Sequence, residues 1–157
     1  MDIESPGINL LATCRELGVA TIAYSPLGRG MLTGQYKSNA DFEEGDWRRT
    51  APRFSAENFP KNLKLVDQLT AIADKKGFTT AQLTLAWLMK QGEDIIPIPG
   101  TKRIKNLEEN MAALKVELTK EEDAKIRKHV EAVETSGDRY PGYMQTVIFM
   151  DTPPLKS

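Results

Sequence analysis

The sequence runs to 157 residues, 40% hydrophobic and 27% charged, with a net charge of −1 and one cysteine, Cys14. That is the length and balance of a single globular domain, and near-neutral charge offers no pull toward nucleic acid or an anionic membrane surface. A lone cysteine closes no internal disulfide, which points to a reducing, cytoplasmic setting, and no apolar run approaches the roughly 20 residues of a membrane helix.

The opening MDIESPG is acidic and runs directly into helical spacing, without a cationic-then-apolar leader. Ser5-Pro6 reads as an N-cap followed by proline at the first helical position. Ile8, Leu11, Ala12 and Arg15, with Leu10, Cys14 and Leu17, give the period of a helix that Gly18 stops. VATIAYSPL, Val19 to Leu27, follows at once as an apolar strand covered on both faces. From Gly28 to Pro60 the chain reads as a long irregular loop. A loop of that length either serves a site or is an insertion without structure, and Phe42, Trp47, Phe54 and Phe59 argue for packing.

Helical spacing resumes over Asn62 to Lys76, with Leu65, Leu69, Ile72 and Ala73 on one side and Gly77 at the end. Thr79 and Gln82 form a capping box that opens a buried helix through Met89, ended by Gly92. Asp94 to Pro99 is a second strand. Lys105 to Leu114 is a helix that turns Ile104, Leu107, Met111 and Leu114 inward, and Thr119 with Glu122 caps a surface helix bearing Ile126, Val130 and Val133. The tail, 135–157, lacks a period and reads as a lid or arm lying on the body. Helix, tight turn and buried strand, twice over, is α/β grammar.

Both strands end in glycine-bearing turns. YSPLGRG offers the Ser25 and Leu27 N–H groups, then Gly28, Arg29 and Gly30; IPGTKR offers Gly100, Thr101, Lys102 and Arg103 before a helix start. A helix N-terminus presents unpaired N–H donors and the positive end of a dipole, glycine admits close backbone approach, and paired cations favour a phosphate dianion. Each feature alone also fits an ordinary turn or a solvated charge pair. His129, the sole histidine, sits on the polar side of a Lys/Glu-rich helix, and the sequence holds no metal-spaced His/Cys set, GxSxG, GxGxxG or Walker loop.

AYSPLGRGMLTG and AQLTLAWLMKQGEDIIPIPGTKRIKNLEENMAALKVELTKEE, in this order and spacing, resemble the carboxyl-terminal half of an aldo-keto reductase. The likeness runs from about Pro6 to the TPPL of the tail, and within the family it leans toward the perakine, pyridoxal and aryl-alcohol reductases. The resemblance implies one α/β unit over 1–157, mostly helical: the last strands and helices of a (β/α)8 barrel that binds NADPH at the carboxyl ends of its strands. It implies reduction of small aldehydes and ketones by hydride transfer. Tyr24 is then similar to the tyrosine that stacks on the nicotinamide, Ser25, Leu27, Gly28 and Arg29 to the pyrophosphate loop, and Gly100, Thr101, Lys102 and Arg103 to the seat of the adenosine 2′-phosphate. Asn106, Glu109 and Asn110 match the helix positions that hold the phosphate side and the adenine. The cationic pair implies NADP over NAD.

The family's catalytic Asp, Tyr, Lys and His belong to the first half of its barrel, and no segment here matches them. The chain is therefore expected to be inactive alone, either as a truncation of a full reductase or as a short protein completed by self-association or by a complementing amino-terminal half. Two other readings stand beside this one: a noncatalytic nucleotide-sensing or interaction module on the same fold, and a decayed fragment that serves only as scaffold.

Overall fold

The computed structural model describes residue 4 and residues 9–145. The Ser5-Pro6 cap and the TPPL end of the tail lie outside the described residues. Helix α1, Leu10–Glu16, opens after Asn9 in the left-handed region at φ 46° and is followed by Gly18 at φ 65°. Strand β1, Thr21–Tyr24, and strand β2, Ile95–Ile98, pair in parallel with Thr21 opposite Ile95 and Tyr24 opposite Ile98. Both are shorter than the sequence suggests. β1 stops because Ser25 turns to φ 52°, outside the extended region, and β2 carries Pro97 and meets Pro99, neither of which can donate to a ladder.

The strands are not covered on both faces, as their apolar runs imply. Burial alternates: Ile95 packs with Leu11 and Leu88, with Ala23 against them, whereas Ile22, Tyr24, Ile96 and Ile98 are exposed on the other side. Leu11 of the helix before β1 and Leu88 of the helix before β2 cover one face of the pair, and nothing among the described residues covers the other.

The stretch from Gly28 to Pro60 is ordered rather than irregular. Short 3₁₀ turns at Gly28–Thr33, Asn39–Asp41, Trp47–Thr50 and Pro52–Phe54 fold it around an aromatic cluster. Phe42 meets Tyr36 at 4.7 Å, Phe54 at 5.4 Å and Phe59 at 5.9 Å between ring centroids, with Met31, Leu63 and Val66 packed alongside. Trp47 stands outside this cluster and is exposed.

Helix α2, Phe59–Lys76, starts three residues before Asn62 because Phe59 is drawn fully into that cluster, and it ends at Gly77, φ 71°. Helix α3, Thr80–Lys90, begins at the expected box, with Thr79 Oγ1 accepting from the Gln82 N–H at 3.2 Å and Gln82 Oε1 accepting from the Thr79 N–H at 3.0 Å. Helix α4, Ile104–Ala112, continues as a 3₁₀ turn over Ala113–Lys115, and α5, Lys120–Glu131, opens at the reciprocal Thr119/Glu122 box. Ile126 is fully buried against Leu69, Ile72, Ala73, Leu83, Ala86, Trp87, Val116 and Leu118, the main core.

The inward face assigned to α4 is corrected by the structure: Ile104, Leu107, Met111 and Leu114 are 76%, 52%, 57% and 66% exposed. Their spacing does line one side of the helix, but the core lies against its other side, where Ala113 is buried. After α5 the chain returns across the body to a short helix α6, Gly142–Gln145.

Candidate functional site

The parallel register sets the site. Because Tyr24 faces Ile98 across the ladder, the loops beginning at Ser25 and Pro99 leave adjacent strand ends in the same direction. The first loop is a run of left-handed residues: Ser25 at φ 52°, Gly28 at 56°, Arg29 at 59° and Gly30 at 92°. Two of these are not glycine, and such conformations cost of order 1 kcal/mol or more and persist only where surroundings enforce them. The turn is closed by the Gly28 N–H to the Ser25 carbonyl at 2.9 Å and the Gly30 N–H to the Leu27 carbonyl at 3.0 Å.

Arg48 is the external brace. Its Nη1 donates to the Arg29 carbonyl at 3.0 Å, its Nη2 and Nε meet Asp46 at 2.6 and 3.1 Å, and its guanidinium lies 4.3 Å from the Phe42 ring and 4.7 Å from Tyr36. The hydrogen bonds from Arg48 hold the Asp46 carboxyl below its ordinary range, and Asp46 in turn raises Arg48. A Cβ on Gly30 would stand 3.1 Å from both Arg48 Nη1 and Tyr36, so glycine here serves close packing as well as positive φ.

The side chain of Arg29 reaches toward the carboxyl-terminal segment. Its guanidinium lies 4.5 Å from the Trp47 ring centroid and 4.3 Å from that of Tyr140, and Nη1 donates to the Arg139 carbonyl at 3.2 Å. Tyr24 is exposed beside it; hydrogen bonding with Ser25, then with Arg29, lowers its phenol below the ordinary tyrosine range. The segment carrying Tyr140 is tied down by Asn62, a buried amide that donates to the Ser136 carbonyl at 2.9 Å and accepts the Ser136 N–H at 2.8 Å, and by Arg53, which donates to the Gly137 carbonyl at 3.2 Å. Sequence reading singled out neither Asn62 nor Tyr140. Their partners lie 74 and more residues away, and no local period announces such contacts.

In the second loop Gly100, Thr101, Lys102 and Arg103 are all exposed. Thr101 Oγ1 accepts the Arg103 N–H at 3.1 Å, shaping the approach to α4, and no side chain caps that helix. Uncapped amides and two exposed cations at a helix start suit an anionic group. Asn106 is exposed one turn in, and Glu109 and Asn110, three and four residues further, are half-buried on the same stretch of α4. Among the described residues no His, Cys, Asp and Glu cluster could hold a metal, and no helix is long and apolar enough to cross a membrane.

The model of the Aldo/keto reductase family matches residues 6–131. The aldo-keto reductase yakc [NADP(+)] of Schizosaccharomyces pombe is 52% identical over 155 residues, covering 99% of this chain and 46% of its own length. The aldo-keto reductase str7 of Strobilurus tenacellus is 59% identical over 139 residues, covering 88% of this chain and 41% of its own. In three dimensions the chain is similar to the glycerol dehydrogenase AKR11B4 of Gluconobacter oxydans, with a TM-score of 0.72 at 24% identity over 87% of this chain and 41% of that one. The chain thus spans less than half the length of the relatives it matches.

Proposed function

This chain belongs to the aldo/keto reductase family, a family of oxidoreductases, and from that premise we propose that it is the part of a carbonyl reductase that seats NADP(H). The observation that carries the reading is the register Tyr24–Ile98, which starts the left-handed Ser25–Gly30 turn and the Gly100–Arg103 turn at one end of one parallel pair. In this reading the two strands are the last two of a (β/α)8 barrel, whose phosphate-binding loops follow those strands. The Ser25–Gly30 turn receives the pyrophosphate, Lys102 and Arg103 with the start of α4 receive the 2′-phosphate, Asn106, Glu109 and Asn110 border the adenine, and Tyr24 offers its exposed ring to the nicotinamide. That one relative carries NADP(+) in its name supports the choice of dinucleotide. The bound nicotinamide supplies the hydride that reduces an aldehyde or ketone; the residues here bind and orient.

The isolated chain is proposed to bind the dinucleotide without turning over a carbonyl substrate. The open face of Ile22, Tyr24, Ile96 and Ile98 and the apolar side of α4 support association, with a second copy or with a matching amino-terminal half. The test pairs fluorescence titration with NADPH and steady-state NADPH oxidation over an aldehyde panel. Micromolar binding with no turnover, and turnover restored by the amino-terminal half, are expected. Absence of NADPH binding refutes the proposal, and turnover by the rigorously purified chain refutes the division of labour.

A further inference from the structure

We infer that Tyr140 and Trp47 are positioning residues for Arg29, so that docking of the 136–140 strap completes the pyrophosphate side of the dinucleotide site. The inference rests on the proposed function and adds to it two residues outside both glycine-bearing turns.

A solvated arginine samples many rotamers, and ordering it on a ligand costs much of the gain from the contact it makes. Here that ordering is done in advance. The backbone of Arg29 is fixed at φ 59° by Arg48 on its carbonyl, and its guanidinium face is held over two rings that are themselves 6.4 Å apart and nearly parallel. Covering the face leaves the edge, where the N–H donors point, as the working part. Nη1 spends one donor on the Arg139 carbonyl, which fixes the rotation of the plane. One of the two rings, Trp47, comes from the folded 28–60 stretch; the other, Tyr140, comes from a strap more than a hundred residues from Arg29, clamped by Asn62 and Arg53. The strap therefore presents an aromatic platform to the phosphate loop.

The experiment measures NADPH and NADH dissociation constants for the full chain and its Tyr140→Ala, Tyr140→Phe, Arg29→Met and Arg29→Met/Tyr140→Ala forms. Loss of a cation–π platform predicts about 3- to 10-fold weaker binding for Tyr140→Ala. The loss should be equal for NADPH and NADH, since both carry the pyrophosphate, and Tyr140→Phe should retain most of the affinity. If Tyr140 acts through Arg29, the double variant binds no more weakly than Arg29→Met alone. Additive losses, or unchanged binding by Tyr140→Ala, overturn the inference while leaving the proposed function standing. Unchanged binding by Arg29→Met overturns the assignment of this loop to the pyrophosphate and the inference with it.

Discussion

Replacing Arg48 by alanine isolates what holds the left-handed turn in shape. Arg48 and Asp46 are both mostly buried, with side chains 18% and 19% exposed, and Arg48 makes a charge-assisted pair to Asp46, a bond to the Arg29 carbonyl, and face contacts with Phe42 and Tyr36. A hydrogen bond to a charged partner is worth about 1.5–3 kcal/mol and a cation–π contact about 0.5–1 kcal/mol. Since these groups share one side chain, a loss of about 2–4 kcal/mol is expected, large against the 5–15 kcal/mol that typically holds a domain. Urea denaturation reads it as a lowered midpoint at unchanged slope. The loss also has a pH signature. Asp46 has a lowered folded pKa, so its contribution is fully present above the unfolded carboxylate value, about 4, and disappears as pH falls through the folded value. The gap between wild type and Arg48→Ala should therefore be largest at neutral pH and narrow below about pH 4. A difference under about 0.5 kcal/mol, or one that does not vary with acidification, refutes the account of Arg48 as a brace.

Ile126→Ala empties a fully buried site against α2 and α3 and is expected to cost about 2–5 kcal/mol in the same denaturation assay. Thr79→Ala and Thr119→Ala each remove one half of a capping box and should cost about 1 kcal/mol apiece, and the double variant should show the sum, since the caps share no partner.

The devices that read correctly from sequence are the local ones. Thr79 with Gln82 and Thr119 with Glu122 satisfy each other within one turn, and Gly18 and Gly77 stop helices through their own φ, so no distant residue is needed to interpret them. Coverage is different. Ile104, Leu107, Met111 and Leu114 state a demand for burial, and so do Ile22 and Ile96, but whether that demand is met depends on what packs above them. The same distinction divides the candidate site. Ser25, Gly28, Gly100, Thr101, Lys102 and Arg103 are legible because each loop is contiguous; the brace at Arg48 and the Tyr140 platform are not, because they meet Arg29 across 19 and more than a hundred residues.

The most direct test of the dinucleotide seat is the ratio of NADPH to NADH affinity in wild type and in Lys102→Ala/Arg103→Ala. Only NADPH carries the extra phosphate, so removing the two cations should lower NADPH affinity about tenfold or more and leave NADH nearly unchanged, collapsing the ratio toward one. Equal weakening of both dinucleotides, or a preserved ratio, contradicts the placement of the 2′-phosphate at the start of α4.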